Sequence, residues 1–328
     1  MTGHALHPPP SSPIPLHPLL HETLSYLMHV LLTGATGFIG TALVRSLLDR
    51  GDQCTVVSRS GQNAWGEGRV QMVRADPAVP GPWQREAAGA DAVVNLAGER
   101  IVDPPRRWTD ARKARLRQSR VDVTRQVVAA IRDAVPRPAV LVSGSAIGYY
   151  GPRGADVLTE SAAPGRDFLA TLARDWEAAA LAAEDNLPVT LLRTGIVLGA
   201  GGGALAPLLP LFRLGLGGPW GNGRQWWSWI HLADAVALVL FALDRHLSGA
   251  VNLTAPNPVT VAEFAAALGH ALHRPAVMPA PAFVLRLALG EAADTLLASQ
   301  RVVPARGLAE GYAFRFSTLP AALEDILR

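Results

Sequence analysis

Lysine is almost missing from this sequence. Of its 30 basic residues 29 are arginine, and Lys113 is the single lysine, which invites a search for chemistry that an arginine cannot supply. Cysteine is equally scarce. Cys54 stands alone, so no intrachain disulfide can form, and a reducing cytoplasm is the expected compartment. No run of 18 apolar residues occurs, which excludes a membrane-spanning helix, and no membrane partner is expected. Charge is sparse at 17% of residues with a net +3, and the arginines are scattered except between Arg100 and Arg125, so no nucleic-acid partner is implied. No metal site is expected either. What the chain does have is bulk: 49% hydrophobic residues over 328 positions suffice for a large buried α/β core with a smaller lobe beside it.

The stretch 28–60 organises the rest. Residues 29–33 (H-V-L-L-T) read as a buried strand, Gly34-Ala35-Thr36-Gly37-Phe38-Ile39-Gly40 follows at once, and an apolar-periodic run continues to Arg50. Strand, glycine turn and helix in that order form a dinucleotide site. Gly34 permits the tight turn, Gly37 lets backbone approach a pyrophosphate, and Gly40 lets the helix lie close to the strand. The next strand, 53–58, ends at Ser58 and Arg59, where an NAD site would carry a carboxylate for the ribose hydroxyls. With no carboxylate to repel a 2′-phosphate and a guanidinium to bind it, NADP(H) is favoured over NAD(H). The alternative is that Arg59 is one surface arginine among many.

Residues 1–27 hold Pro8, Pro9, Pro10, Pro13, Pro15 and Pro18 without helical or strand periodicity; they read as a disordered extension upstream of Met28, with no secretory signal. A third strand at 69–73 leads to Asp76, near the adenine position. A fourth at 91–96 ends at Asn95, which bonds locally there and stands on the cofactor side; the small Ala97 and Gly98 let backbone pass close to the cofactor, and Glu99 is a substrate-pocket candidate. Thr109 or Asp110 caps a long helix to about Ala134, on which Lys113 and Arg120, two turns apart, look in roughly one direction. The fifth strand, 139–142, presents Ser143 through Gly151 at its carboxyl end. There Ser145 is a hydrogen-bonding candidate for substrate, and Tyr149 or Tyr150 a proton donor; an S/T-rich turn with two packing tyrosines is the plain alternative. An amphipathic helix at 168–185, a sixth strand at 189–193 and an apolar helix at 205–216 come next. Arg224, Trp227 and Trp229 lie where three of the eight tryptophans fall within four positions, which suits a substrate-pocket wall. Asp234 reads as a helix N-cap, and His231 as structural. The tail from Asn252 begins with a turn, and Thr260 with Glu263 forms a capping box.

Taken together, T-G-A-T-G-F-I-G, N-L-A-G-E, R-W-T with Lys113 and Ser119-Arg120, S-G-S-A-I-G-Y-Y-G, D-W-E, S-W-I-H and A-P-N-P-V-T resemble the atypical extended short-chain dehydrogenases/reductases, in the epimerase-like branch with a C-terminal domain of unknown function. The resemblance implies an α/β fold with a Rossmann-type doubly wound parallel sheet and a smaller, mostly helical C-terminal lobe on the substrate side. The expected division is 28–250 for the NAD(P)-binding domain, with part of the substrate lobe inserted near 205–230, and 251–328 for the C-terminal lobe. It implies an NADP(H)-dependent oxidoreductase or epimerase-like enzyme acting on a small molecule, and it is compatible with a homodimer of the two-helix type common in the superfamily. One departure matters. Where the superfamily carries Tyr-x-x-x-Lys, this chain has Leu169 and Ala173, or Phe168 and Leu172 in the adjacent register. Tyr149 or Tyr150 as acid with Lys113 as its cation is the expected substitute, and a non-catalytic NADP(H)-binding or sensing protein is the alternative.

Overall fold

The computed structural model describes residues 27–66, 68–103 and 106–328, so the expectation for the proline-rich extension falls, for residues 1–26, outside the described residues. Seven strands make the central sheet: β1 (His29–Thr33), β2 (Gln53–Ser58), β3 (Val70–Arg74), β4 (Ala92–Asn95), β5 (Val140–Ala146), β6 (Val189–Thr194) and β7 (Gly249–Leu253). All neighbours are parallel, in the order β3-β2-β1-β4-β5-β6-β7. The strands are rich in valine and leucine because both faces are covered. Val30 and Leu32 point into one helical layer and Leu31 into the other, the period-2 alternation of a strand. This is a Rossmann-type doubly wound fold, with α1 (Phe38–Arg50) on the first face and α2 (Asp110–Arg117), α3 (Val123–Asp133) and α4 (Phe168–Leu181) on the second. α5 (Leu232–Asp244) packs beside α1.

Two sequence expectations change here. α2 and α3 are not one regular helix: Gln118–Asp122 form a π-helical turn between them, which inserts extra rotation and breaks the 3.6-residue period. The apolar run at 205–216 is helical only over Leu209–Arg213, because Pro207 and Pro210 cannot donate and glycines follow. β7 was also not expected, since its five residues end at the turn read from Asn252.

A separate apolar core forms beyond β6, where Trp220, Trp227, Trp229 and Phe264 meet Phe316 and Leu323. Trp227 and Phe264 pack edge to face at 4.3 Å between ring centroids. This lobe includes α6 (Val261–Ala271), α7 (Ala282–Leu289) and α8 (Leu319–Leu327), and α6 starts with the expected Thr260–Glu263 capping box. Asp234 is not the cap of α5. His231 takes that place, its Nδ1 accepting from the Ala233 N–H, while the buried Asp234 accepts from the N–H groups of Arg315 and Phe316 and ties the C-terminal segment to the sheet layer.

Candidate active site

The order in which strands are added reverses between β1 and β4, and a cleft opens at the carboxyl ends of the strands there, as expected of doubly wound folds. Its volume is about 870 Å³. At one end lies the glycine turn. Gly34 has φ of 73°, and a Cβ there would sit 2.4 Å from the carbonyl carbon of Leu96, so the turn and the β4 loop pack backbone on backbone. A Cβ on Gly40 would meet the Gly34 oxygen at 2.5 Å. Gly37 caps α1 with no side-chain hydrogen bond and no acidic residue in the first turn. The N–H groups of Phe38, Ile39 and Gly40 therefore face the cleft as free donors at the positive end of a 13-residue helix, fit for an anion. Thr36 is exposed at the tip of the turn. Ser58 ends β2 buried, and Arg59 beyond it is exposed with no hydrogen bond or ion pair among the described residues, fit for a 2′-phosphate. Asp76 receives the N–H of Ala78 in a local turn at 3.0 Å.

At the other end the structure assembles a buried polar chain. Ser145, the penultimate residue of β5, lines the cleft and donates through Oγ to Glu177 Oε1 at 2.6 Å. Glu177 receives Arg193 through Nε at 2.8 Å and Nη2 at 2.9 Å, a two-pronged pair. Arg193 Nη1 also donates to the Tyr150 hydroxyl at 3.1 Å, which itself donates to Asn252 Oδ1 at 2.6 Å. Burial alone lowers the Arg193 pKa, but the Glu177 carboxylate outweighs it and holds the guanidinium firmly charged. Burial likewise pushes Tyr150 up to about 12, against the opposing pull of Arg193. Because the Ser145 proton is directed at Glu177, its oxygen lone pairs remain to accept a hydrogen bond from the cleft.

Between these ends the wall is apolar. Phe168, Leu169, Leu172 and Ala173 of α4 all line the cleft, so both registers in which the superfamily's Tyr-x-x-x-Lys could fall face it here, with nothing to ionise. Trp108 and Ile101 continue that wall. Arg120 brings a buried cation to the cleft: it lies 5.3 Å over the Trp176 ring, donates to the Glu99 carbonyl and is held close to Gly98. Burial lowers its pKa to about 10, with Glu99 opposing.

The sequence matches the model of the NAD dependent epimerase/dehydratase family over residues 30–254, and that of a domain of unknown function, DUF1731, over 280–326. The chain belongs to the NAD dependent epimerase/dehydratase family. Among its relatives, the mouse epimerase family protein SDR39U1 is 40% identical over 304 residues, covering 92% of this chain and 100% of the mouse protein. The chloroplastic SDR39U1 homolog of Arabidopsis thaliana is 40% identical over 311 residues, 92% of this chain and 87% of its own length. The crystal structure of human SDR39U1 (isoform2) with NADPH superposes with a TM-score of 0.80 at 39% identity, over 91% of this chain and 99% of that one.

Within this family member several sequence-named residues sit elsewhere than expected. Tyr150 is fully buried and committed to Arg193 and Asn252, and Tyr149 lies under the Arg193 guanidinium, 3.5 Å from its ring centre; neither lines the cleft. Lys113 does not join them. Its Nζ pairs with Glu291 of the C-terminal lobe at 2.6 Å and lies 5.2 Å over the Phe168 ring, and both of those residues line the cleft that Arg120 lines too. Asn95 is at the end of β4, where its Oδ1 accepts from the Thr33 hydroxyl at 2.7 Å and locally from the Ala97 N–H at 3.3 Å and its Nδ2 donates to Thr124 at 2.7 Å, and its side chain is buried behind the cleft wall. Ala97 is buried beside it, whereas Gly98 lines the cleft. Glu99 pairs with Arg112 rather than presenting its carboxylate to the cleft. Of the aromatic cluster, Trp227 lines the cleft together with Trp226, but Trp229 is wholly enclosed in the lobe's core, its indole N–H on the Asn257 carbonyl at 3.0 Å. Arg224 opens into a neighbouring pocket of about 460 Å³ with Arg286 and Trp226.

The sequence singles out Arg120, Trp176 and Glu177 without giving them these partners, and Arg193 not at all. A signal existed for Glu177: it follows Ala173 by four positions on the buried stripe of α4, and a carboxylate on an apolar stripe demands a cation. Nothing local points to Arg193 as that cation.

Proposed function

We propose that this protein is an NADP(H)-dependent oxidoreductase or epimerase-like enzyme that acts on a carbonyl or alcohol carbon of a small molecule. The observation that carries this reading is the meeting of the glycine turn and Ser145 in one cleft, walled between them by apolar side chains. The N-terminal turn of α1 holds the pyrophosphate through Phe38, Ile39 and Gly40, and Arg59 receives the 2′-phosphate. When bound, NADP(H) supplies or accepts a hydride at its nicotinamide ring. Ser145 Oγ accepts the hydrogen bond of a substrate hydroxyl while Glu177, held in place by its two-pronged pair with Arg193, fixes the direction of the serine proton. Leu169, Leu172, Phe168 and Trp108 exclude water and suit a substrate whose reacting carbon is flanked by apolar surface. Arg120 is placed to meet an anionic or carbonyl oxygen beside Gly98. Cys54, with its buried thiol pushed up to about 12, offers no redox chemistry and suits a reducing compartment, which we take to be the cytoplasm.

Titration with NADPH and NADH, followed by nicotinamide fluorescence with aldehydes, ketones, quinones and alcohols, tests the reading. NADPH-selective binding with turnover that Ser145→Ala lowers roughly 100-fold in kcat is the expected result. Failure of both nucleotides to bind would end it. A second reading, NADP(H) binding without turnover, is favoured by one observation: in either register of Tyr-x-x-x-Lys, Leu169 and Ala173 or Phe168 and Leu172, the residues lining the cleft cannot move a proton. Tight NADPH binding with no oxidation across the panel would select it.

A further inference from the structure

We propose that the C-terminal lobe docks on an anionic lipid surface through the face built from α7 and the segments 211–218 and 274–280. Eight of the 13 exposed large hydrophobic side chains among the described residues belong to these three pieces of chain. Phe283 and Leu287 lie one turn apart on α7 and are 71% and 72% exposed, while Leu285 and Leu289 of the same helix pack inward against the lobe. A helix apolar on both sides with only one side covered has an unpartnered face. Hydrogen bonds place the other two segments side by side: Met278 N–H to the Gly217 carbonyl at 3.1 Å, Ala280 N–H to the Pro219 carbonyl at 2.9 Å, and Arg274 Nε to the Arg213 carbonyl at 3.0 Å. Leu214, Leu216, Val277 and Met278 stand exposed along them.

Charge decides which partner fits. No aspartate or glutamate occurs from residue 186 to 233 or from 264 to 290, so the charges these stretches bring to the surface are those of Arg213, Arg224, Arg274 and Arg286, with His270 and His273 beside them. Asp294 pairs with Arg286 at 3.2 Å, but Arg213, Arg224 and Arg274 have no ion pair among the described residues, and a second copy docking by a twofold axis would set them against one another. An anionic bilayer supplies the missing negative charge over an extended plane, and phenylalanine and leucine next to arginine are the residues that enter its headgroup region. No spanning helix is required, and none of the described helices is long and apolar enough to be one. Arg286 of α7 also lines the cleft, so docking brings the cleft's rim to the bilayer.

Flotation of the full chain with vesicles of phosphatidylcholine and phosphatidylglycerol, against phosphatidylcholine alone, tests this surface independently of the chemistry in the cleft. The protein floats with the anionic vesicles only. Phe283→Ser with Leu287→Ser lowers the bound fraction at least about tenfold, and Arg213→Gln or Arg274→Gln lowers it about fivefold each. NADPH titration of the same samples stays at the parent value, which certifies the fold and separates a failure of the surface from a failure of the cofactor reading. The proposal is overturned if anionic vesicles bind no more than neutral ones, or if the variants float like the parent. A dimer that Phe283→Ser with Leu287→Ser dissociates, without vesicle binding, would instead assign the face to a second copy.

Discussion

The glycine end of the cleft is made by seven consecutive residues, 34–40, and presents backbone N–H groups, whereas the Ser145 end is made by side chains whose partners lie far apart, Tyr150 and Asn252 being 102 positions distant. The first end tolerates no added atom at Gly34 or Gly40, because backbone already fills the space. The second depends on matched charge: Glu177 and Arg193 are each only 5% exposed and would be costly to bury singly. One end is thus held by sterics and the other by electrostatics, and they should break in different ways.

The sharpest break is at Arg193. Arg193→Met leaves Glu177 as a buried unpaired carboxylate, and a loss of about 3–5 kcal/mol in unfolding free energy is expected from urea denaturation. The double variant Arg193→Met with Glu177→Leu should recover most of it, because the charge then disappears with its partner; failure to recover would show that Tyr149 and Tyr150 packing, not the ion pair, holds this end. Gly40→Ala tests the other end. Its Cβ falls 2.5 Å from the Gly34 oxygen, so α1 must shift, at up to about 3 kcal/mol, with loss of most NADPH affinity by fluorescence titration. Arg59→Asp asks whether the exposed arginine reads a phosphate. Removing a charge-assisted contact worth about 1.5–3 kcal/mol should weaken NADPH roughly tenfold or more while leaving NADH nearly unchanged; equal effects on both would reduce Arg59 to a surface charge.

The smallest effect concerns the seam between sheet layer and lobe. Burial holds His231 below its ordinary value, with Asp325 and Asp234 opposing and Arg315 assisting, so the unfolded chain takes up a proton that the folded chain resists. The stability this allows is complete above about pH 6.5 and declines as pH falls below it. The urea midpoint should therefore drop between pH 7.5 and pH 5.5, and His231→Gln should flatten that drop without altering NADPH affinity.

Much of the fold was legible because its signals are local. The glycine turn, the apolar strands, the Thr109 cap of α2 and the Thr260–Glu263 capping box each rest on residues within a few positions of one another. Where reading by period failed, a long-range or irregular feature intervened. Lys113 reads as the cation for a tyrosine acid, but its partner is Glu291 of the C-terminal lobe, far off in sequence, which no local spacing announces. Tyr150 looked like an acid because it follows Ser145, yet whether a tyrosine faces a cleft or a buried guanidinium depends on where β6 lies, not on its neighbours in sequence. Trp227 and Trp229, alternating on a short extended segment, were both read as pocket wall although the structure encloses Trp229.

The sequence by itself determined the strand-turn-helix unit, the absence of a carboxylate after β2 and the lack of an ionisable pair on α4, because each is a matter of residue type at short spacing. Tertiary structure alone decided that Glu177 would meet Arg193, that Ser145 would point its proton away from the cleft and that Lys113 would bridge to the C-terminal lobe. Those outcomes depend on burial and on pairs brought together across the sheet, where desolvation selects partners that no local pattern encodes.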